Sequence, residues 1–308
     1  RGSGKTAVIT GRTCQLTASG ISASRILVVT FTRAAAKEMK ERYLKAMGKT
    51  STQVTFGTFH GVFYAILRHT YRMSGNNILS EEEKKRLMRE LVNHYARDLE
   101  EEDLEENLAR EISTVKNNQI PLEHYYSACM PQEKFREIYE AYEKWRKENK
   151  KLDFDDLMVQ CKRLFLERPE VLRAWQHKFQ YILIDEFQDI SPVQYEIVRM
   201  LALPENNLFI VGDDDQSIYQ FRGAKPEIML NFPKDYPGAA QVVLDKNYRS
   251  TEFIVKRSQC LIHHNKKRYE KAISTDNEKG APVAIRGYKN PREEMRAVAE
   301  ELREAEKN

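Results

Sequence analysis

Short apolar segments alternate with longer stretches of helical periodicity along most of the chain. The strand candidates are rich in β-branched and aromatic residues and are apolar at successive positions, as strands buried on both faces of a parallel sheet are. They are Ile26–Thr30, Val54–Phe56, Tyr181–Asp185, Leu208–Gly212 and Gln241–Asp245. Helical patterns follow most of them and supply the crossovers that parallel strands need. The pattern therefore predicts an α/β fold, a parallel sheet with helices on both faces.

One long interval, from about Ser80 to Trp175, contains no strand candidate. It opens with Ser80-Glu81-Glu82-Glu83, which has the spacing of a helix capping box. Amphipathic helical patterns follow, including Glu133–Lys150 and Asp153–Glu167. We expect an all-helical domain that interrupts the α/β domain.

The last part of the chain has fewer elements. After Ser250 we predict a helix to about His264, a strand at Pro282–Tyr288 and a final helix at Pro291–Lys307. These pieces are too few to bury a core of their own, so we interpret them as the incomplete beginning of a second α/β domain. The predicted organisation is an α/β domain in two parts (1–79 and 176–249), a helical insertion (80–175) and the incomplete domain (250–308).

Composition narrows the class of protein without deciding it. Fifty Lys and Arg residues against 46 Asp and Glu leave a net charge of +4, which neither requires nor excludes nucleic acid, because a basic groove can lie within a nearly neutral total. The four cysteines are dispersed without a CxxC pair, so we expect no zinc or iron–sulfur site and a reducing, cytoplasmic location. No apolar run is long enough to span a membrane.

The chain begins with a glycine-rich segment, Gly2-Ser3-Gly4-Lys5-Thr6. It matches the end of the P-loop pattern, in which backbone N–H groups surround phosphates at a helix N-terminus. Lys5 would reach the β- and γ-phosphates, and the Thr6 hydroxyl would ligate Mg²⁺. A glycine-rich turn that caps a helix is the alternative.

Two carboxylates end a strand candidate in the segment from Tyr181 to Asp189. In a P-loop enzyme the first carboxylate, here Asp185, holds Mg²⁺, and the second, Glu186, can polarise the attacking water. The alternative is a strand that leads into a helix whose first turn favours acidic residues. The presence of the glycine-rich segment on the same predicted sheet favours the catalytic interpretation.

Another buried strand candidate ends in the polar loop Asp213–Gln216. The ends of adjacent parallel strands meet at one crevice, so Gln216 could bond a γ-phosphate or its attacking water. Tyr219, Phe221 and Arg222 follow, and such residues can stack on bases or hold a phosphate. An Asp-rich turn and ordinary aromatic packing are the alternatives.

A fourth segment, Asn247-Tyr248-Arg249-Ser250-Thr251, lies between the last strand candidate of the α/β domain and a helix. Arg249 could reach across to a triphosphate from this position. The alternative is a helix start capped by Ser250 or Thr251.

In this order, the segments resemble the motifs of UvrD/PcrA/Rep-type superfamily 1 DNA helicases. The resemblance covers essentially the whole chain, and the fold it implies is a P-loop RecA-like domain with a helical insertion. The segments that carry it are GSGKT, Val28–Met39, Thr55–Arg68, LDFDDL, ILIDEFQD, VGDDDQSIYQFRGA and NYRST.

The resemblance implies a role for each nucleotide-site residue. Gly2, Ser3 and Gly4 belong to the phosphate-binding loop. The other matches are Lys5 with the phosphate lysine, Thr6 and Asp185 with the Mg²⁺ ligands, Glu186 with the catalytic base, Gln216 with the γ-phosphate sensor, Arg249 with an arginine that stabilises γ-phosphate charge, and Tyr248 with the ring that stacks on adenine.

On the DNA side, the resemblance implies two strand-to-helix turns that contact single-stranded DNA and one base-stacking patch. The matching residues are Phe31 and Thr32, then Thr58 and His60, then Tyr219, Phe221 and Arg222. A lone histidine is more often structural, and the TFH context is what favours His60 as a contact.

The implied function is an ATP-dependent DNA helicase or translocase that uses ATP and Mg²⁺ and moves 3′→5′ on single-stranded DNA. Expected partners are single-stranded DNA, single/double-strand junctions and repair or recombination proteins, with no membrane. Two alternatives are the motor subunit of a helicase–nuclease complex and an ATP-switched DNA-binding module without unwinding. The family's later motifs are not in this stretch, so we expect this chain alone to bind nucleotide and hydrolyse it poorly.

Overall fold

The computed structural model describes residues 2–99, 103–217 and 225–306. The chain divides into two units, Gly4–Val242 and Val243–Asn308 with Arg1–Ser3. The larger unit contains the sheet and ten of the described helices. None of the described helices is both long and apolar enough to cross a bilayer.

The strands are β1 (Ile26–Thr30), β2 (Thr55–Thr58), β3 (Tyr181–Ile184) and β4 (Leu208–Ile210). The larger unit's helices are α1 (Lys5–Ala18), α2 (Arg33–Met47), α3 (Phe59–Tyr71), α4 (Glu81–Tyr95), α5 (Leu104–Asn118), α6 (Gln132–Glu148), α7 (Phe154–Glu167), α8 (Pro169–Lys178), α9 (Pro192–Ala202) and α10 (Pro226–Asp235). The smaller unit contains α11 (Glu252–Ile262) and α12 (Pro291–Ala305).

The four strands form one parallel sheet in the order β2-β1-β3-β4. Val28 of β1 lies opposite Phe56 of β2 and Leu183 of β3, and Leu183 lies opposite Phe209 of β4. Because all four strands are parallel, the residues that follow each strand collect at one edge of the sheet. The predicted site residues that end or follow a strand at that edge are Phe31, Thr32, Thr58, His60, Asp185, Glu186 and Gln216.

Alternate strand residues enter two separate apolar cores, one on each face of the sheet. Leu27 and Ile182 pack with residues of α3, α7 and α9. Val28 and Leu183 pack on the opposite face, with residues of α1 and α2. Successive residues of a strand point to opposite faces, so a strand that is apolar throughout needs helices on both sides. The predicted α/β fold class is confirmed.

Helices account for the regular structure described between β2 and β3. Helices α4, α5 and α6 enclose a third apolar core that includes Leu108, Ile112, Phe135 and Tyr142. The predicted capping box is present, since Ser80 accepts a hydrogen bond from the N–H of Glu83 and the Glu83 carboxylate accepts one from Ser80. The helical insertion therefore has its own core and a defined first helix.

Helix α7 does not belong to that third core. Its apolar residues, among them Leu157, Leu164 and Phe165, join the core on the α3 side of the sheet. Its first turn is instead tied to α5 and α6 by charged and polar side chains. Helix α7 thus links the helical insertion to the sheet.

Two strand predictions are wrong. Residues Gln241–Asp245 form no strand, and Val242 is 80% exposed. Residues Pro282–Tyr288 form none either, and Ile285 is 96% exposed. A segment rich in β-branched residues becomes a strand only where a neighbouring segment pairs with its backbone. In the described part of the smaller unit, such pairing is limited to an isolated bridge between Lys246 and Ser274.

Candidate active site

The glycine-rich segment adopts the backbone conformation that its glycines predict. Gly4 is the residue before α1 and has φ 83°, and Gly2 has φ 99°. These are left-handed conformations, which are costly for a residue with a Cβ atom. A Cβ atom on Gly4 would touch nothing within 4 Å, so backbone conformation rather than crowding explains this glycine. The N-terminus of α1, with its free N–H groups, follows immediately.

Lys5 and Glu186 form an ion pair, with the ammonium 3.2 Å from Glu186 Oε2. Lys5 is the first residue of α1, and Glu186 is the second residue after β3. Glu186 has φ 52°, an unusual conformation for a residue other than glycine, which costs on the order of 1–3 kcal/mol. The sheet therefore brings together the predicted phosphate lysine and the predicted base, although 181 positions separate them in the chain.

Asp185 is buried, and its Oδ1 atom has no hydrogen-bond partner among the described residues. Burial, and then the neighbouring charge of Glu186, raise the pKa of Asp185 to about 6. A buried carboxylate with an unsatisfied oxygen is stabilised by a nearby cation, and oxygen ligands suit Mg²⁺. The residue therefore fits its predicted role as a metal ligand.

Gln188, for which the sequence analysis predicts no role, connects the loops that follow β3 and β4. Its amide nitrogen donates to Glu186 Oε2 at 2.9 Å and to Asp189 Oδ2 at 3.1 Å. Its amide oxygen accepts from the N–H of Asp213 at 2.9 Å. Gln216 in turn donates to the Asp213 carboxylate. A chain of hydrogen bonds thus joins the predicted base to the predicted γ-phosphate sensor.

Gly212 makes room for this connection. A Cβ atom at Gly212 would lie 2.9 Å from Gln188 Oε1 and 3.0 Å from Met229 Sδ. Gln188 itself is 2% exposed, so it cannot move aside into solvent. The sequence motif contains both residues, but an amide that bonds two loops at once becomes visible only in three dimensions.

The predicted DNA-contact turns follow β1 and β2 at the same edge of the sheet. The Thr32 hydroxyl accepts from the N–H of Ala35 and caps α2, and the Thr58 hydroxyl accepts from the N–H of Gly61 and caps α3, each at 3.1 Å. The Phe31 ring packs edge-on against Phe59, with centroids 5.2 Å apart. The two threonines thus have a structural role, and their DNA contacts stay predictions.

His60, in the first turn of α3, is half-buried beside α7. Its ring meets the Phe154 ring edge-on, with centroids 5.5 Å apart. Burial lowers the pKa of His60, and the charge of Asp155 opposes that shift. The other predicted DNA contacts, Tyr219, Phe221 and Arg222, lie outside the described residues.

Tyr248 and Arg249 belong to the smaller unit, whereas Lys5 and Glu186 belong to the larger one. The Asn247 side chain accepts from the N–H groups of Arg249 at 2.9 Å and Ser250 at 2.8 Å, which fixes the turn. Both predicted residues are exposed. Their contacts with adenine and γ-phosphate stay predictions.

Comparison with known proteins identifies two matching family models. Residues 1–237 match the UvrD/REP helicase N-terminal domain, and residues 242–308 match the UvrD-like helicase C-terminal domain. The chain is 40% identical to a putative ATP-dependent DNA helicase, YjcD, of Bacillus subtilis, and the match covers all of the chain and 41% of that protein.

Other relatives are similar over comparable lengths. A probable DNA helicase II homologue of Mycoplasma capricolum is 36% identical over 98% of the chain and 43% of its own length. The ATP-dependent DNA helicase PcrA of Leuconostoc citreum is 38% identical over 92% of the chain and 39% of its own length. The chain thus spans about two fifths of the length of these relatives.

Proposed function

The chain belongs to the UvrD/REP helicase family, and on this premise we propose that it supplies the ATP-hydrolysing site of a DNA helicase that moves 3′→5′ on single-stranded DNA. The observation that carries the proposal is the hydrogen-bonded chain from Lys5 through Glu186, Gln188 and Asp213 to Gln216. It joins a cation for phosphate, a base for water and a polar sensor at one edge of the sheet.

Nucleotide binding would use the loop before α1. Its N–H groups would surround the phosphates, and Lys5 would neutralise them. Asp185 and Thr6 would hold Mg²⁺, whose charge would stabilise the phosphate oxygens during transfer. The buried, unsatisfied oxygen of Asp185 supports this assignment.

Hydrolysis would depend on Glu186. Its side chain is 36% exposed, so water can reach it, and Lys5 and Gln188 both contact its carboxylate. When Lys5 turns to the phosphates, its ion pair with Glu186 opens, and the carboxylate can accept a hydrogen bond from the attacking water. Gln216 is linked to the same carboxylate through Asp213 and Gln188, so its contacts would respond to the state of the site.

DNA would bind at the turns after β1 and β2, which lie at the same edge of the sheet as the nucleotide residues. Phe31, Thr32, Thr58 and His60 are the proposed contacts there, and Tyr219, Phe221 and Arg222 would stack on bases. Stacking contributes about 1–3 kcal/mol per base and tolerates any sequence, which suits a translocating protein. The partners would include single/double-strand junctions and repair or recombination proteins.

A streptavidin-displacement assay tests the proposed direction of movement. We would use the full natural polypeptide that contains this chain and single-stranded oligonucleotides with biotin at either end. A 3′→5′ motor displaces streptavidin from the 5′ end in an ATP-dependent manner and leaves the 3′ end occupied. Displacement from the 3′ end would reverse the proposed polarity. Binding of DNA without displacement from either end would favour the alternative, an ATP-switched binding module.

A further inference from the structure

Three helices of the larger unit meet in a buried ionic cluster formed by Lys116 of α5, Glu143 and Arg146 of α6, and Asp153 and Asp156 at the start of α7. The Lys116 ammonium lies 2.7 Å from Asp153, 2.9 Å from Asp156 and 2.8 Å from Glu143. Arg146 completes the cluster, with contacts of 2.6 Å to Glu143 and 2.9 Å to Asp156. One lysine thus holds carboxylates from two different helices.

Lys116 is the centre of this ionic cluster. It is 7% exposed, and its ammonium also lies 5.0 Å from the centre of the Tyr142 ring. Burial alone would lower the pKa of Lys116, but Asp153, Asp156 and Glu143 together raise it above its ordinary value. A buried charge group of this kind is strongly perturbed when one partner is removed, because the remaining charges lose their compensation.

The same carboxylates build the first turn of α7. Asp153 accepts from the N–H of Asp156 at 2.7 Å, and Asp156 accepts from the N–H of Asp153 at 2.9 Å, so each caps the helix start for the other. Asp155, between them, accepts from Ser113 at 2.6 Å and from Asn117 at 2.8 Å, both on α5. Three of the four residues 153–156 are therefore acidic and fix the start of α7 on α5.

Phe154 is the remaining residue of that turn, and it is not part of the ionic cluster. Its ring contacts the His60 ring, and His60 stands in the first turn of α3 at the sheet edge where the DNA-contact turns lie. Asp155 also acts on His60 through its charge. A series of contacts thus leads from Lys116, through the first turn of α7, to a proposed DNA contact.

We propose that Lys116 is a positioning residue for DNA binding: it fixes the start of α7 so that Phe154 holds the His60 ring in its DNA-contacting orientation. The inference rests on the proposed function, because it assigns a purpose to the orientation of His60. It also makes the helical insertion part of the DNA response, since α5 and α6 supply the partners of α7.

The test uses four single variants of the full natural polypeptide that contains this chain: Lys116→Met, Lys116→Arg, Phe154→Leu and His60→Ala. The readouts are basal ATP turnover, the single-stranded DNA concentration that gives half-maximal stimulation, and the NMR signals of the His60 imidazole without DNA. Lys134→Met is the matched control, because Lys134 makes an exposed ion pair with Asp98 in the same insertion.

We expect Lys116→Met to raise the half-maximal DNA concentration about tenfold, which corresponds to roughly 1.4 kcal/mol, with basal turnover unchanged. The His60 signals shift in Lys116→Met. Lys116→Arg keeps the positive charge and so retains much of the wild-type half-maximal DNA concentration and His60 signals, and Lys134→Met changes neither. Phe154 is half-exposed, so Phe154→Leu keeps the fold, and it weakens DNA stimulation as well. In the double variant that combines Phe154→Leu with His60→Ala, we expect no loss of DNA stimulation beyond that of His60→Ala alone, because both substitutions act through the His60 ring.

Unchanged His60 signals in Lys116→Met would overturn the inference, as would a loss from Phe154→Leu that adds fully to that of His60→Ala. A wild-type protein without any DNA response would instead refute the proposed function. In that case the NMR comparison still decides whether Lys116 positions the His60 ring.

Discussion

Gln188→Ala is the substitution that most directly disturbs the connection between the loops that follow β3 and β4. It removes the amide that donates to Glu186 and Asp189 and accepts from the N–H of Asp213. Lys5 keeps its own contact with Glu186, so the phosphate-binding loop is left in place. The variant therefore separates the orientation of Glu186, the proposed base, from the proposed binding of nucleotide.

The expected magnitude follows from these contacts. A hydrogen bond to a charged group contributes about 1.5–3 kcal/mol, and a neutral one contributes about 0.5–1.5 kcal/mol. These bonds belong to one network and are not additive, so we expect a loss of about 2–4 kcal/mol in the free energy of unfolding. A misplacement of Glu186 by about 1 Å would lower kcat by about 10²-fold, with ATP affinity nearly unchanged.

The assay measures steady-state ATP turnover, ATP affinity and urea-induced unfolding. Gln176→Ala is the matched control, because that amide donates at 2.8 Å to the carbonyl of Met200. The control should lose about 1 kcal/mol of stability and keep its turnover. Normal kcat in Gln188→Ala would refute the reasoning, and so would a large loss of ATP affinity with kcat unchanged.

Three further predictions test other parts of the structure. Gly212→Ala should lower the free energy of unfolding in urea by about 1–3 kcal/mol, because its Cβ would press on Gln188. Gly11→Ala, in helix α1, should raise it by about 0.5–1 kcal/mol, because the added Cβ meets nothing within 4 Å. Equal effects of the two substitutions would contradict this. Asp156 pairs with Lys116 and Arg146 in the ionic cluster, so Asp156→Asn should lower the free energy of unfolding by about 3–5 kcal/mol, because it removes a counter-ion of two buried cations; a variant as stable as wild type in urea would contradict this. Thr6→Val should abolish the Mg²⁺ dependence of ATP affinity in titrations with and without a chelator, and a Mg²⁺ response like that of wild type would remove Thr6 from the metal site.

The sequence predicts elements wherever local chemistry decides them. Strand β1 has the predicted bounds because Ile26–Thr30 is buried on both faces, which continuous apolar residues indicate. The start of α4 follows from the capping residues Ser80 and Glu83, which act within one turn. The proximity of Lys5 and Glu186 could also be predicted, because P-loop and strand-end motifs converge at one edge of the sheet.

Other contacts between distant segments could not be predicted in this way. Gln241–Asp245 has a strand composition but no backbone neighbour to pair with, and pairing is a property of the fold rather than of the segment. The two-sided role of Gln188 depends on how closely the loops after β3 and β4 approach each other. Helix α7 reads as part of the helical insertion, yet its apolar face packs on the sheet core.

ATP turnover with and without single-stranded DNA, in wild type and in Glu186→Gln, tests the central claim most directly. The protein is the full natural polypeptide that contains this chain, and Glu167→Gln, which changes an exposed ion pair on α7, is the control. We expect strong DNA stimulation in wild type and in the control, and retained ATP binding without turnover in Glu186→Gln. Stimulated turnover that survives in Glu186→Gln would contradict the assignment of Glu186 as the catalytic base.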